Sequence, residues 1–168
     1  MKLRTQILAI GLAGTCLAAV VGVIGLVTSA RMSDAIDGSI GSGFALQSSQ
    51  EADMMHDAVR GDAQLALLGA LEHSPDRMNE AEKGLSEHTE TFRKALTRLK
   101  SLHTSEATQA ELAKSLPLVD RYLQSARHVV DAAKVDAKQA ESLVPDFQKS
   151  FTELEAQMER LSDGIETT

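Results

Sequence analysis

Asp53, His56, Asp57 and Arg60 lie within the decapeptide "DMMHDAVRGD" (Asp53 to Asp62), where helical spacing of three and four residues puts both Asp53 and Arg60 within reach of His56 and Asp57. Three chemistries suit that set. Solvated ion pairs are the simplest, each worth about 0.2–0.5 kcal/mol. Alternatively, Arg60 and His56 offer a fixed charge and a hydrogen bond to a small carboxylate, with Asp53 and Asp57 orienting them. Asp53, His56 and Asp57 also present the donor types zinc accepts, although a tetrahedral site would need a ligand from another helix or another copy. A second candidate centres on His88, which falls at an apolar seam position between Leu85 and Phe92. Tyr122, Arg121 and Arg127 are available on a later helix, and a pocket lined by His88, Tyr122 and an arginine would suit a small organic anion.

Nothing in the chain supports catalysis. The one cysteine, Cys16, lies in an apolar run, and there is neither a G-x-S-x-G nor a phosphate-cradling glycine loop; "GSGF" at 41–44 falls in a helical stretch with no strand before it. The expectation is therefore a binding protein with no catalytic residue, cofactor or resident metal. A net charge of -7 makes nucleic acid a poor partner.

The elements that must position these residues are helical. Hydrophobic residues make up 43% of the 168 but aromatics only 3%, with 3 prolines and no tryptophan, a composition of helical bundles rather than β-sandwiches. Residues Ile7 to Val27 form an uncharged apolar stretch, long enough for a helix to cross a hydrocarbon core of about 30 Å. Lys2 and Arg4 precede it, so residues 1–6 are expected in the cytoplasm, 7–29 in the inner membrane and 30–168 in the periplasm. A cleaved signal peptide is the rival reading of the same stretch, with Thr28-Ser29-Ala30 as its cleavage site.

Beyond it, apolar positions step by threes and fours in three runs: Met78 to Leu102 with His88 among them, Leu112 to Ala140, and Phe147 to Ile165. Ser74 before Pro75, Thr104 or Ser105, and Pro145 are expected to open the second, third and fourth helices of an antiparallel four-helix bundle. The first helix is expected to continue from Ile7 to about Glu72. Spaced at about 100° per residue, Ile36, Ile40, Met54, Ala58, Gly61, Leu65 and Leu68 share one face, which is predicted to serve the bundle. Leu46, Leu67 and Leu71 share another with Asp53, His56 and Arg60. For that second face a symmetric copy is the simplest partner, which makes Asp53, His56, Arg60, Leu67 and Leu71 the predicted homodimer interface.

A basic N-terminus, an outward-directed membrane helix and a bundle carrying "DMMHDAVRGD", "RYLQSARHVV" (Arg121 to Val130) and "FTELEAQMERLSDGIE" (Phe151 to Glu166) resemble the N-terminal half of a bacterial methyl-accepting chemotaxis protein. The likeness covers nearly the whole chain, and the decapeptide is its distinctive part. It implies a homodimeric receptor whose periplasmic four-helix bundle binds a small molecule and passes a helix displacement across the membrane for chemotaxis signalling. Downstream signalling proteins would be reached only through a cytoplasmic half. The sequence ends at Thr168 before a second membrane helix, so the chain is expected to be part of a longer one. No ligand-binding arginine of that family aligns securely here, and none is carried over. The same bundle could serve a sensor kinase or cyclase. A periplasmic haem bundle using Met54 and His128 as axial ligands is the reading from a different class.

Overall fold

A computed structural model describes residues 2–166, excluding the side chains of 2–13, 16, 33–35, 37 and 38. The described residues are helical in α1 (Lys2–Leu71), α2 (Pro75–Ser101), α3 (Glu106–Ala133) and α4 (Ala137–Glu166), and none is in a strand. They belong to two compact units, Met1–Ile40 and Gly41–Thr168.

In the first unit the described apolar side chains face outward: Leu17, Val20, Val21, Val23, Ile24 and Leu26 are each more than half exposed. Among the described residues no helix is long and apolar enough to cross a membrane. The stretch expected to do so, Ile7 to Val27, lies partly outside the described side chains, and Cys16 does so entirely.

The second unit is the bundle, and its ion pairs and hydrogen bonds give the topology. Glu51 meets Arg98 and Asp62 meets His88, so residue numbers rise on α1 as they fall on α2. Lys134 with Glu82 and Arg93 with Asp120 set α2 against α3 in the same sense. Thr108 with Gly164 and Ser125 with Ser150 do so for α3 and α4. Stacking of Phe151 on His56 closes α4 onto α1.

The caps follow local chemistry. Ser105 opens α3, its hydroxyl accepting the Thr108 N–H at 3.1 Å. Ser74 holds the equivalent position before α2 but makes no such bond; Pro75 sets the first turn instead. His73, between α1 and α2, has φ of 53°, the left-handed conformation that ends helices, and the Ser74 N–H reaches back to the Gly69 carbonyl at 2.9 Å. Pro145 does not open α4. That helix begins two turns earlier, where Asp136 accepts the Lys138 N–H, and the proline sits in its interior. The third helix correspondingly ends at Ala133, so Ala137 and Ala140 belong to α4 rather than to one continuous run with Leu112.

Most predicted seams are buried: Ala81, Leu85, Phe92, Ala95 and Leu99 on α2, Leu112, Val119, Leu123, Ala126 and Val130 on α3, and all six from Phe147 to Ile165 on α4. The face assignment on α1 is corrected. Met54 is 60% exposed and Leu68 42%, and Ile36 and Ile40, in the first unit, are about half exposed. The buried stripe is instead Ala45, Ala52, Val59 and Ala66 at heptad spacing, flanked by Ser49, His56 and Ala63. Small side chains there admit the aromatic and leucine side chains of α2, α3 and α4, so close packing rather than hydrophobicity alone selects the inward face.

Candidate functional site

Heptad placement on α1 turns His56 into the core, where it is 1% exposed. Its ring stacks on Phe151 of α4 with centroids 4.2 Å apart and planes 7° from parallel, and meets Tyr122 of α3 edge-on at 4.9 Å. Tyr122, itself buried, donates its hydroxyl to the His56 carbonyl oxygen at 2.8 Å and stacks on Phe147. One helical turn after His56, Arg60 lays its guanidinium over the Phe151 ring, 4.3 Å from the centroid.

Two polar atoms here have no hydrogen-bond partner although buried: Nε2 of His56 and Nε of Arg60. Such atoms are costly, about 1–3 kcal/mol each, and are commonly explained by function or by an unseen partner. Burial drives the His56 pKa down to about 4, outweighing the upward pull of Asp57 and of a backbone hydrogen bond at Phe151; Arg60 adds to the lowering. His56 is thus a neutral imidazole at pH 7. Burial likewise holds the Tyr122 hydroxyl protonated, well above the usual phenol range. Asp53 is exposed, but partial burial of its carboxyl and then the neighbouring Asp57 raise its pKa.

The decapeptide is therefore divided. His56 points into its own bundle, which removes it from the predicted homodimer face, while Asp53 and Asp57 face solvent. Leu71 is 58% exposed and Leu67 partly packs on the core, so the five residues assigned to that face do not share one surface. Among the described residues no three histidine, cysteine or carboxylate side chains are grouped to hold a metal ion, which takes away the zinc reading of Asp53, His56 and Asp57. Met54 and His128, the haem candidates, are both exposed.

The second predicted pocket is not assembled either. His88 turns to α1, its Nδ1 2.7 Å from Oδ2 of Asp62, rather than to Tyr122. Arg121 pairs with Glu153 at 2.9 Å on the surface, and half-buried Arg127 lies within electrostatic reach of Glu82. Spacing within one helix cannot reveal that Asp62 and His88 pair across two. Phe151 and Asp62 escaped the sequence reading for this reason, although both stand in segments it singled out.

Asp62 is 7% exposed, and its burial raises its pKa against the opposing hydrogen bond from His88. It fits because α2 carries glycine opposite it: a β-carbon on Gly84 would overlap Oδ1 of Asp62. Gly84→Ala should therefore destabilise the bundle by about 1–2 kcal/mol, even though alanine gains up to about 1 kcal/mol in a helix, because the carboxylate must leave His88. Chemical denaturation of a double-mutant cycle checks this. In an Asp62→Ala background the same change should become neutral or stabilising, and an equal cost in both backgrounds would place the strain elsewhere.

Compared with known proteins, the chain matches no family profile, no curated sequence and no solved structure.

Proposed function

We propose that this chain is the sensor part of a transmembrane chemoreceptor, and that its bundle binds a small anionic molecule at Arg60. The observation that carries the reading is the unpaired, buried Nε of Arg60 next to the equally unpaired Nε2 of His56, both against Phe151. Among the described residues no carboxylate lies within ion-pairing distance of Arg60, whereas Arg77, Arg93, Arg98 and Arg121 are each paired with an acid. A half-buried guanidinium in that state retains its charge and donors for a ligand.

The same geometry suggests how binding becomes movement. His56 is enclosed by Phe151 and Tyr122, so a carboxylate that engages both Arg60 and His56 must part Phe151 from α1. That shifts α4 relative to α1, the class of small helix displacement a receptor would transmit. Neutral His56 contributes a hydrogen bond to the anion rather than a charge.

Membrane attachment is part of this proposal. Its support is the run of outward-facing Val20, Val21, Val23, Ile24 and Leu26, which is costly in water and ordinary in lipid. Homodimerisation is proposed on the α1 face bearing Met54, Gly61 and Leu68, where a methyl on Gly61 would meet open space and a second helix can approach closely. Signalling to cytoplasmic proteins would depend on a further domain.

A thermal-shift screen of mono- and dicarboxylic acids followed by calorimetric titration tests the site. Arg60→Ala should reduce affinity for a stabilising acid by about 1.5–3 kcal/mol, the value of a charged hydrogen bond. Equal affinity in both proteins, or no stabilising acid, would overturn the assignment.

A further inference from the structure

The ring of Phe151 occupies contacts suited to a flat ring that bears a charged group, yet it carries no polar atom of its own. The His56 imidazole lies 7° from parallel to it with centroids 4.2 Å apart, the Arg60 guanidinium lies over it at 4.3 Å, and Tyr122 meets it edge-on at 6.0 Å. Nε of Arg60 and Nε2 of His56 stay buried and unpaired beside it among the described residues, since a hydrocarbon ring offers neither donor nor acceptor. We propose that Phe151 is an internal placeholder, and that the anion bound here is an aryl carboxylate whose ring takes over the stack on His56. This rests on the anion site proposed above and names its ligand class.

The platform selects for flatness. Parallel rings at this separation are in the stacked arrangement that aromatic pairs favour, and burial keeps the imidazole neutral. An aliphatic acid could reach Arg60 but would leave the imidazole face that Phe151 vacates without an equivalent partner. An aryl carboxylate replaces that contact and also gives the Arg60 Nε–H the acceptor it lacks. The dimensions agree. A carboxylate oxygen lies roughly 3.5 Å from the centre of the ring that carries it, from bonds of about 1.5 Å or less. The guanidinium already stands over a ring in this position, so it meets such an oxygen by sliding from the ring's face to its edge.

His56 is 1% exposed, so its face admits one ring at a time. Phe151 and the ligand are then mutually exclusive there, and the displaced side chain is what couples binding to α4.

The test is calorimetric titration of the full chain in detergent with benzoate and with cyclohexanecarboxylate, which share charge and approximate size but differ in flatness. Benzoate should bind about three- to tenfold more tightly. Phe151→Leu removes the competing ring while keeping much of the packing, and should tighten benzoate severalfold. His56→Leu should erase the preference for benzoate while both acids still require Arg60. Nuclear Overhauser contacts from the benzoate ring to Tyr122, the only tyrosine of the chain and 4.9 Å from His56, should place the ligand on the platform by a readout that stability does not move. Equal affinity for the two acids, both lost in Arg60→Ala, would leave the anion site standing and overturn the aryl assignment. No binding of either acid, or binding indifferent to Arg60→Ala, would overturn both. A preference for benzoate that persists in His56→Leu would put the ring elsewhere and overturn the placeholder role of Phe151.

Discussion

Replacing Phe151 with alanine is expected to destabilise the bundle by about 3–5 kcal/mol, the largest single effect anticipated in this protein. Part is the ordinary loss of a buried aromatic side chain, 2% exposed, and the cavity left behind. The remainder comes from what the ring organises: it supports His56 at 4.2 Å, holds Arg60 at 4.3 Å and lies 6.0 Å from Tyr122. Without it, water reaches the imidazole and the guanidinium, which no longer bridges α1 to α4. Denaturant titration measures the loss, and Phe151→Leu distinguishes volume from aromaticity. Leucine should recover much of the packing but not the ring contacts, which are worth about 0.5–1.5 kcal/mol for stacking and about 0.5–2 kcal/mol for the cation. A loss under about 1 kcal/mol for Phe151→Ala would mean that α4 does not pack on α1 through this ring.

Acid should weaken the fold through His56. Its pKa is 6.5 in the unfolded chain and about 4 in the bundle, so between those values the unfolded state binds the extra proton and stability falls as pH falls. The contribution is complete above about pH 6.5, declines through the interval and is exhausted below about pH 4, for a total of about 3 kcal/mol. Asp53 and Asp62 act in the opposite direction, since their raised pKa values let the folded state take up protons first as the pH is lowered. The difference between wild type and His56→Phe isolates the histidine. Phenylalanine keeps the stack on Phe151 and removes the unpaired Nε2, so the variant should match or exceed wild type at pH 7 and lose about 3 kcal/mol less on going to pH 4. Parallel stability curves for the two proteins would show that His56 takes up its proton in the folded state as readily as in the unfolded one.

The two results bear on one arrangement. Phe151 seals a neutral histidine and an unpaired arginine into the α1–α4 seam, and proposed anion binding would work against that seal.

Composition and periodicity determined the helical class and the inward faces of α2 and α4, because those stripes carry leucine, phenylalanine and methionine at steps of three and four and are plain in one dimension. Ser105 as a cap and Pro75 at the start of α2 were legible as well, since a cap depends on residues within one turn. On α1 the same reasoning selected the wrong stripe. Met54 and Leu68 outrank Ala45, Ala52 and Ala66 in hydrophobicity, yet the alanines face inward because the space beside α1 is already occupied by large side chains such as Tyr122 and Phe151. That is a property of the neighbours' volume, which no local pattern on α1 contains. The site divides in the same way. Sequence put His56, Arg60, Asp53 and Asp57 within reach of one another on one helix, and His88 in a seam. Only the tertiary structure decided that His56 turns inward to Phe151 while Asp53 turns out, and that His88 is claimed by Asp62 through the space left by Gly84, because pairings between helices depend on their register and separation.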